Sequence, residues 1–171
     1  MRWRSAGRSN RHDVTAPMCG RVPPVCGIRR LPDLSNIPEL TEVRRVLEVP
    51  AARHAAIHRT DAHIRQLDSI VERQRTTTIE DPAIPEYDLA FHTTIGQASG
   101  NRLLAAFIAA VHDATHPAQF LDVTEEVGRK TVKQHMAILA AIKDEDEEAA
   151  AKAMATHLDY VLRYSTTRPT D

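Results

Sequence analysis

A carboxylate and an imidazole stand where an amphipathic helix should carry apolar residues. In YDLAFHTTIGQASGN, residues 87–101, Asp88 and His92 lie four positions apart and share a face with Phe91 and Ile95. Residues four apart on a helix are neighbours, so both polar groups can address a single point. A carboxylate in a protein core is costly unless it is paired or bound to a metal ion. The pattern therefore indicates that Asp88 has a partner inside the fold.

Two further histidines, His135 and His157, are predicted to face the same interior. Their midpoint in the chain is Asp146, inside the acidic turn DEDEE, and each lies 11 residues from it. This is about 16 Å along each helix, so an antiparallel hairpin places the two imidazoles side by side. One carboxylate and three imidazoles are a suitable ligand set for a divalent transition metal. We predict that Asp88, His92, His135 and His157 bind zinc, with nickel or manganese as alternatives.

These four positions lie in a chain whose apolar residues recur with helical periodicity. The predicted helices cover residues 38–58, 61–75, 84–99, 101–115, about 124–143, and from the acidic cluster at 144–148 to about 165. No segment alternates as a strand would, and alanine, the best helix former, is abundant after residue 50. The sequence therefore predicts an all-α fold, an antiparallel bundle of about six helices.

Prolines and apolar stripes refine this prediction. Pro50 should kink the first helix, and Pro117 should end the fourth. The residues of the first helix that should face the core are Leu40, Val43, Leu47 and Ala51.

Composition divides the chain at about residue 37. Residues 1–36 hold seven arginines and two aspartates, a net charge of +5, whereas the remaining residues carry a net charge of −6. We predict a disordered or irregular basic tail at 1–36, a helical domain at 37–166 and a short tail at 167–171. The acidic domain should repel phosphate backbones. No apolar run is long enough to span a bilayer and no signal peptide is evident, so a cytoplasmic location is expected.

Two other histidine pairs share the four-residue spacing of Asp88 and His92. They are His54 with His58 and His112 with His116. Neither pair has an acidic partner in register, so we expect both pairs at the surface or the rim and expect no second metal site.

The order and spacing of these motifs resemble a known family. ELTEVRRVLE, then DLAFHTTIGQASGN, then HMAILAAIKDEDEEAA and AMATHL are similar to the C-terminal effector (FCD) domain of GntR-superfamily transcription regulators of the FadR type, over about residues 37–165. The resemblance implies an all-α bundle that binds a small organic acid in a central cavity, often through a metal. It also implies a homodimer.

The resemblance assigns roles to individual residues. The four predicted metal ligands match the family's ligand positions one by one. Arg44 matches an arginine that helps to bind the effector carboxylate, although a surface ion pair with Glu48 at i,i+4 is an equally simple role. Asn101 lies in the family motif and is a second candidate for ligand binding, with a helix cap as its simpler role.

The segment before the helical domain departs from the family pattern. Family members carry a winged helix-turn-helix domain there, and about 36 residues are too few for three helices and a wing. The sequence thus predicts that this chain lacks a complete DNA-binding domain, through truncation or an altered reading frame, and that DNA is bound only through such a domain.

Three classes of function remain open from the residues. The leading hypothesis is a ligand-sensing module, not an enzyme, in which metal and effector binding shift the helix packing. A small metalloenzyme that activates water is disfavoured because neither HExxH nor a Glu-x-x-His pair occurs. A helical interaction protein is the third class, because a single buried histidine is more often a structural residue than a ligand.

Overall fold

The computed structural model describes residues 37–78, 80–119 and 124–166. Within these residues the chain forms six helices and no strand: α1 Ile37–His58, α2 Asp61–Thr76, α3 Ile84–Ala98, α4 Arg102–Gln119, α5 Glu125–Lys143 and α6 Glu147–Thr166. The all-α prediction is confirmed. The predicted tails at 1–36 and 167–171 fall outside the described residues.

The first helix runs through the centre of the bundle. α1 contacts α3, α4, α5 and α6, and its contact with α6 is the most extensive between any two helices described. It turns four fully buried alanines into the core, Ala51, Ala52, Ala55 and Ala56. Because alanine side chains are small, neighbouring helices can approach α1 closely. None of the six helices is both long and apolar enough to cross a membrane.

Side-chain caps define where three helices begin. The Thr60 hydroxyl accepts a hydrogen bond from the His63 backbone N–H at the start of α2. The Asn101 side chain accepts bonds from two backbone N–H groups of α4, and Thr124 caps α5. Each cap of this kind contributes about 1 kcal/mol to stability.

The turn between α5 and α6 is held by Arg59 from the end of α1. Its guanidinium donates to the carbonyls of Ile142 and Lys143, at 3.1 and 3.0 Å, and to the Glu145 carboxylate at 2.6 Å. Glu145 has a φ of 59°, which closes the turn in the left-handed region. This turn brings α5 and α6 back along each other, as the placement of His135 and His157 requires.

Both prolines for which the sequence predicts an effect lie inside helices. α1 continues through Pro50 to His58, and the residue whose carbonyl loses its partner there, Val46, has an exposed side chain. The prediction that Pro117 ends α4 is wrong, because the helix continues to Gln119. A proline in the last turn removes only a single intrahelical hydrogen bond.

The buried stripe of α1 also differs from the predicted one. Val43 was expected in the core, but its side chain is 47% exposed. Its neighbour Arg44 and the nearby Glu48 are buried instead, each 2% exposed. Two opposite charges can occupy the interior because each compensates the other for lost hydration.

Candidate metal centre

The four predicted ligands meet between three helices. α3 supplies Asp88 and His92, α5 supplies His135 and α6 supplies His157, and all four side chains are buried. The rings of His135 and His157 lie 4.7 Å apart, as the symmetric spacing predicted, and each lies within 5.3 Å of the His92 ring. We call these four residues the ligand cluster.

The geometry of the ligand cluster suits a small cation. One ring nitrogen from each histidine can be chosen so that all three lie within 4.8 Å of one another. Oδ1 of Asp88 lies 3.6 Å from Nε2 of His135 and 3.8 Å from Nε2 of His92. Ligand atoms of a tetrahedral zinc ion stand about 3.4 Å apart, so modest adjustment would complete such a site. Metal coordination by these residues stays a prediction.

Three imidazole nitrogens in the ligand cluster lack hydrogen-bond partners, and Nδ1 of His92 is one of them. The other two are Nε2 of His135 and Nε2 of His157, and both are buried. On the opposite side of each ring, Nδ1 contacts an amide oxygen, that of Gln74 at 2.9 Å for His135 and that of Gln134 at 3.1 Å for His157. A buried polar atom without a partner costs about 1–3 kcal/mol, so this arrangement indicates a role beyond packing.

Burial and neighbouring charges shift the pKa values of three residues in the ligand cluster. Burial lowers the pKa of His135 to about 3. Burial, together with the neighbouring His135 and His92, also holds the pKa of His157 well below its usual value. Burial alone would raise the pKa of Asp88, but His92, His135 and Arg44 outweigh it and the pKa is lowered. At neutral pH His135 and His157 are therefore uncharged imidazoles, and Asp88 is an ionised carboxylate.

A second polar group adjoins the first through His92. Glu48 Oε1 accepts a hydrogen bond from Arg44 Nε at 2.6 Å and lies 2.9 Å from Nε2 of His112. Glu48 Oε2 lies 2.5 Å from Nδ1 of His92, and Arg44 reaches Nε2 of His92 at 3.3 Å. We call Arg44, Glu48 and His112 the arginine cluster. The sequence anticipated the pairing of Arg44 with Glu48 but placed it at the surface, whereas it lies in the core.

The position of His112 contradicts a second prediction. It was expected at the surface or rim, but it is buried on α4 and stacks on His92 with ring centroids 4.7 Å apart. The side chain of His116 lies outside the described residues. The other pair, His54 and His58, is exposed as predicted.

A cavity of about 1080 Å³ adjoins the ligand cluster. Its lining includes Arg44, Asp88 and His157, together with the hydroxyl-bearing Tyr160 and Tyr164 of α6. The C-terminal end of α2, the start of α3 and the first half of α5 form the other walls. A space of this volume, with charged groups and hydroxyls on its walls, is large enough for a small organic acid.

Asn101 does not belong to this site. Its side chain is exposed, its oxygen caps α4, and it is absent from the lining of the cavity. The predicted role of Asn101 in ligand binding gains no support from this placement, and the cap accounts for its side chain.

Sequence reasoning overlooked Gln74 and Gln134 and did not give Glu48 a place in the site. The first of these carried a usable signal, because Gln74 continues the buried face formed by Leu67, Ile70 and Val71 on α2. A polar residue on a buried face requires a partner. No comparable pattern marks Gln134, whose partner His157 lies on another helix.

Comparisons with known proteins agree with the fold and the motifs. Residues 39–160 match the FCD domain family. The chain is 30% identical over 129 residues to the "Putative L-lactate dehydrogenase operon regulatory protein" of Escherichia coli strain K12, covering 72% of this chain and 49% of that protein. It is 28% identical over 129 residues to the HTH-type transcriptional repressor NanR of the same strain, covering 74% and 49%. The chain spans about half the length of the curated relatives it matches.

Solved structures of similar fold include Streptococcus agalactiae GntR, with a TM-score of 0.69 and 23% identity over 79% of this chain and 62% of that chain. E. coli McbR/YncC has a TM-score of 0.66 and 19% identity over 76% and 65% of the two chains. At these identities the likeness shows the fold alone. The curated relatives are transcription regulators, and the family match covers well over half of the sequence. The chain therefore belongs to the FCD domain family, the regulatory effector domains of GntR-type transcription regulators rather than enzymes.

Proposed function

We propose that this domain senses a small carboxylate through a divalent metal ion held by the ligand cluster. The observation that carries the proposal is the pair of buried Nε2 atoms, on His135 and His157, that have no hydrogen-bond partner. Both rings belong to the trio whose nitrogens lie within 4.8 Å of one another. Asp88 Oδ1, at 3.6 Å from the first of these atoms, supplies the fourth ligand.

The donor set favours zinc, with nickel or manganese as alternatives. Uncharged imidazole nitrogens suit borderline transition metals, and a single carboxylate is too few oxygens for calcium or magnesium. Arg44 and Glu48 cancel each other's charge, which leaves Asp88 as the uncompensated charge beside the histidines. A divalent ion would give the site a net positive charge and attract an anion.

The cavity supplies the place for that anion. A metal held by three imidazoles and a carboxylate commonly accepts an oxygen donor at an open position. Arg44 lines the same cavity and could hold a carboxylate in a bidentate pair. One relative is named for an L-lactate dehydrogenase operon. L-Lactate is a hydroxycarboxylate, so this class is included beside dicarboxylates, tricarboxylates and sugar acids.

In a complete regulator, metal and ligand together would shift the packing of the helices. A winged-helix DNA-binding domain would respond to that shift by changing its affinity for DNA. We expect the regulator to act as a homodimer. Residues 37–171, with a net charge of −6, should not bind duplex DNA specifically on their own.

Metal content tests the first half of the proposal. Protein purified without a histidine tag and dialysed against metal-free buffer should retain or take up one equivalent of zinc, nickel or manganese, measured by plasma mass spectrometry. His157→Ala and Asp88→Asn should lose the ion. His54→Ala, an exposed histidine of α1, is the matched control and should keep it. A wild-type chain that binds none of these ions would leave the histidines with a structural role and overturn the proposal.

A thermal-shift screen of the four acid classes tests the second half. A ligand at a hundredfold excess over its Kd should stabilise the domain by about 2.7 kcal/mol. The shift should vanish with chelator and weaken in Arg44→Lys, which keeps the charge that Glu48 requires but loses the bidentate fork. A shift that survives both changes would place the ligand elsewhere.

A further inference from the structure

Building on the proposed metal site, we infer that Glu48, Gln74 and Gln134 are positioning residues that fix the tautomer of the three cluster histidines. Each places a side-chain oxygen against the Nδ1 atom of one ring. The oxygens come from three different helices, α1, α2 and α5. All three Nε2 atoms are thereby kept free of protons, and those of His135 and His157 have no hydrogen-bond partner.

Two of the three contacts determine which ring nitrogen carries the proton, because the contacting atom is an amide oxygen. The Gln74 oxygen lies 2.9 Å from Nδ1 of His135, and the Gln134 oxygen lies 3.1 Å from Nδ1 of His157. An amide oxygen only accepts hydrogen bonds, so Nδ1 of each ring must carry the proton. A neutral imidazole has a single N–H, so Nε2 of each ring carries a lone pair, and both of these Nε2 atoms are buried without a hydrogen-bond partner.

The tautomer of the third ring, His92, is constrained by contacts at both of its nitrogens. Arg44, which can only donate, reaches Nε2 of His92 at 3.3 Å, and this contact requires a lone pair at Nε2. Glu48 Oε2 lies 2.5 Å from Nδ1 of the same ring, although the angles depart from those of a hydrogen bond. Neither atom has another hydrogen-bond partner, so a small rotation of the carboxylate completes an Nδ1–H···O bond.

These contacts matter because a free histidine has two neutral tautomers. A ring with its proton on Nε2 would point an N–H at the ion and could not bind it. A hydrogen-bond acceptor on the far nitrogen removes that tautomer, orients the ring and makes the ligand nitrogen more basic. Loss of such an outer partner typically weakens metal binding 10- to 100-fold.

The glutamines allow a cleaner test than Glu48, because Glu48 also pairs with Arg44 and His112. Gln74→Met and Gln134→Met keep the length of the side chain and remove the acceptor. Gln74→Glu and Gln134→Glu keep an acceptor oxygen. Gln66→Met, at an exposed position of α2, is the matched control.

Zinc affinity, measured by competition with a chromophoric chelator, should fall 10- to 100-fold in each Met variant. It should stay close to wild type in the Glu variants and in Gln66→Met. Thermal unfolding with chelator shows whether each variant folds. Wild-type affinity in both folded Met variants would overturn the inference while leaving the metal site itself intact.

A second measurement needs neither metal nor variants. Long-range proton–nitrogen NMR spectra of the chelated, histidine-labelled wild-type chain should show the Nδ1–H tautomer for His92, His135 and His157. The Nε2–H tautomer at His135 or His157 would overturn the inference. If the spectra show Nδ1–H but the wild type binds no zinc, the proposed function fails and the positioning of the rings stands.

Discussion

The ligand cluster and the arginine cluster meet at His92, but only the arginine cluster contains a cationic side chain of its own, Arg44. The three histidines of the ligand cluster offer ligand atoms within 4.8 Å of one another, and so do Glu48 and His112 together with His92. In the arginine cluster, Arg44 places its own cation 2.6 Å from the Glu48 carboxylate. In the ligand cluster, Nε2 of His135 and Nε2 of His157 face the interior without partners. We therefore expect a metal ion in the ligand cluster and not in the arginine cluster, because Arg44 already supplies a cation there.

Electrostatics support this distinction. Burial would raise the pKa of Glu48, but Arg44, His92 and His112 outweigh it and hold that pKa well below its ordinary range. Burial would likewise lower the pKa of Arg44, and the Glu48 carboxylate outweighs it and raises that pKa. The two charges are therefore permanent at neutral pH and compensate each other. The Asp88 carboxylate has no comparably close cation among the described contacts, its nearest described partners being imidazole nitrogens at 3.6 and 3.8 Å.

Acid should destabilise both clusters, and this is the largest effect we expect. Burial lowers the pKa of His135 to about 3 and that of His112 to about 4, and the pKa of His157 is also well below its usual value. In the unfolded chain these residues titrate near pH 6.5, so between that pH and their folded pKa values the unfolded state binds more protons. Stability is therefore complete above about pH 6.5 and falls as the pH falls, on the order of 2 kcal/mol per histidine between pH 7 and 5.

Chemical denaturation with chelator at pH 7 and pH 5 measures this loss. His112→Gln should remove the share of this stability loss that His112 contributes. The share contributed by the histidines of the ligand cluster should remain. An unfolding free energy that does not change between these pH values would contradict the prediction, because it would mean that the buried histidines bind protons in the folded state as they do in the unfolded chain.

Removal of the buried Arg44 cation should cause the next largest loss of stability. Arg44→Ala leaves the Glu48 carboxylate buried without its partner, and we expect the free energy of unfolding to fall by about 3–5 kcal/mol. The adjacent Arg45 forms an exposed ion pair with Asp159, so Arg45→Ala should cost no more than about 1 kcal/mol. Urea denaturation at pH 7 compares the two, and equal losses would contradict the difference between a buried and an exposed arginine.

Metal-dependent stability should separate the two clusters directly. Zinc at a hundredfold excess over its Kd should stabilise the wild-type chain by about 2.7 kcal/mol. His112→Ala should lower the stability of the chelated protein but keep that zinc-dependent increment. His157→Ala should lose the increment. Thermal unfolding with zinc and with chelator gives both values for each variant, and loss of the increment in His112→Ala would place the ion in the arginine cluster instead.

The smallest effect should come from Asn101, which belongs to neither cluster. Asn101→Ala removes the cap of α4 and should cost about 1 kcal/mol of stability. The affinity for any carboxylate found in the screen should not change. A matched loss of ligand affinity, measured by calorimetry on the folded variant, would restore Asn101 as a ligand-binding residue.

Local geometry explains which features could be read from the sequence. The pairing of Asp88 with His92 follows from the pitch of a helix, and the meeting of His135 with His157 follows from equal distances to a turn. Both require only the residues of a single helix or hairpin. The helix boundaries were close for the same reason, except at Pro117, where a proline in the last turn costs too little to end the helix.

Packing between distant segments decided the rest. Val43 and Arg44 are adjacent, and only the docking of α1 against its neighbours determines which of them is buried. Contacts of Glu48 with His112 and of Gln74 with His135 join residues 64 and 61 positions apart. A polar residue on a buried face is expected to have a hydrogen-bond partner, but the identity of that partner depends on which helix packs there. The sequence by itself determined the helices, the pairing of Asp88 with His92 and the meeting of His135 with His157, because these follow from short-range periodicity, and its motifs indicated the family. Only the tertiary structure decided that Arg44 supplies a cation to Glu48 and that two glutamines hold the imidazoles, because those contacts exist only once the helices have packed.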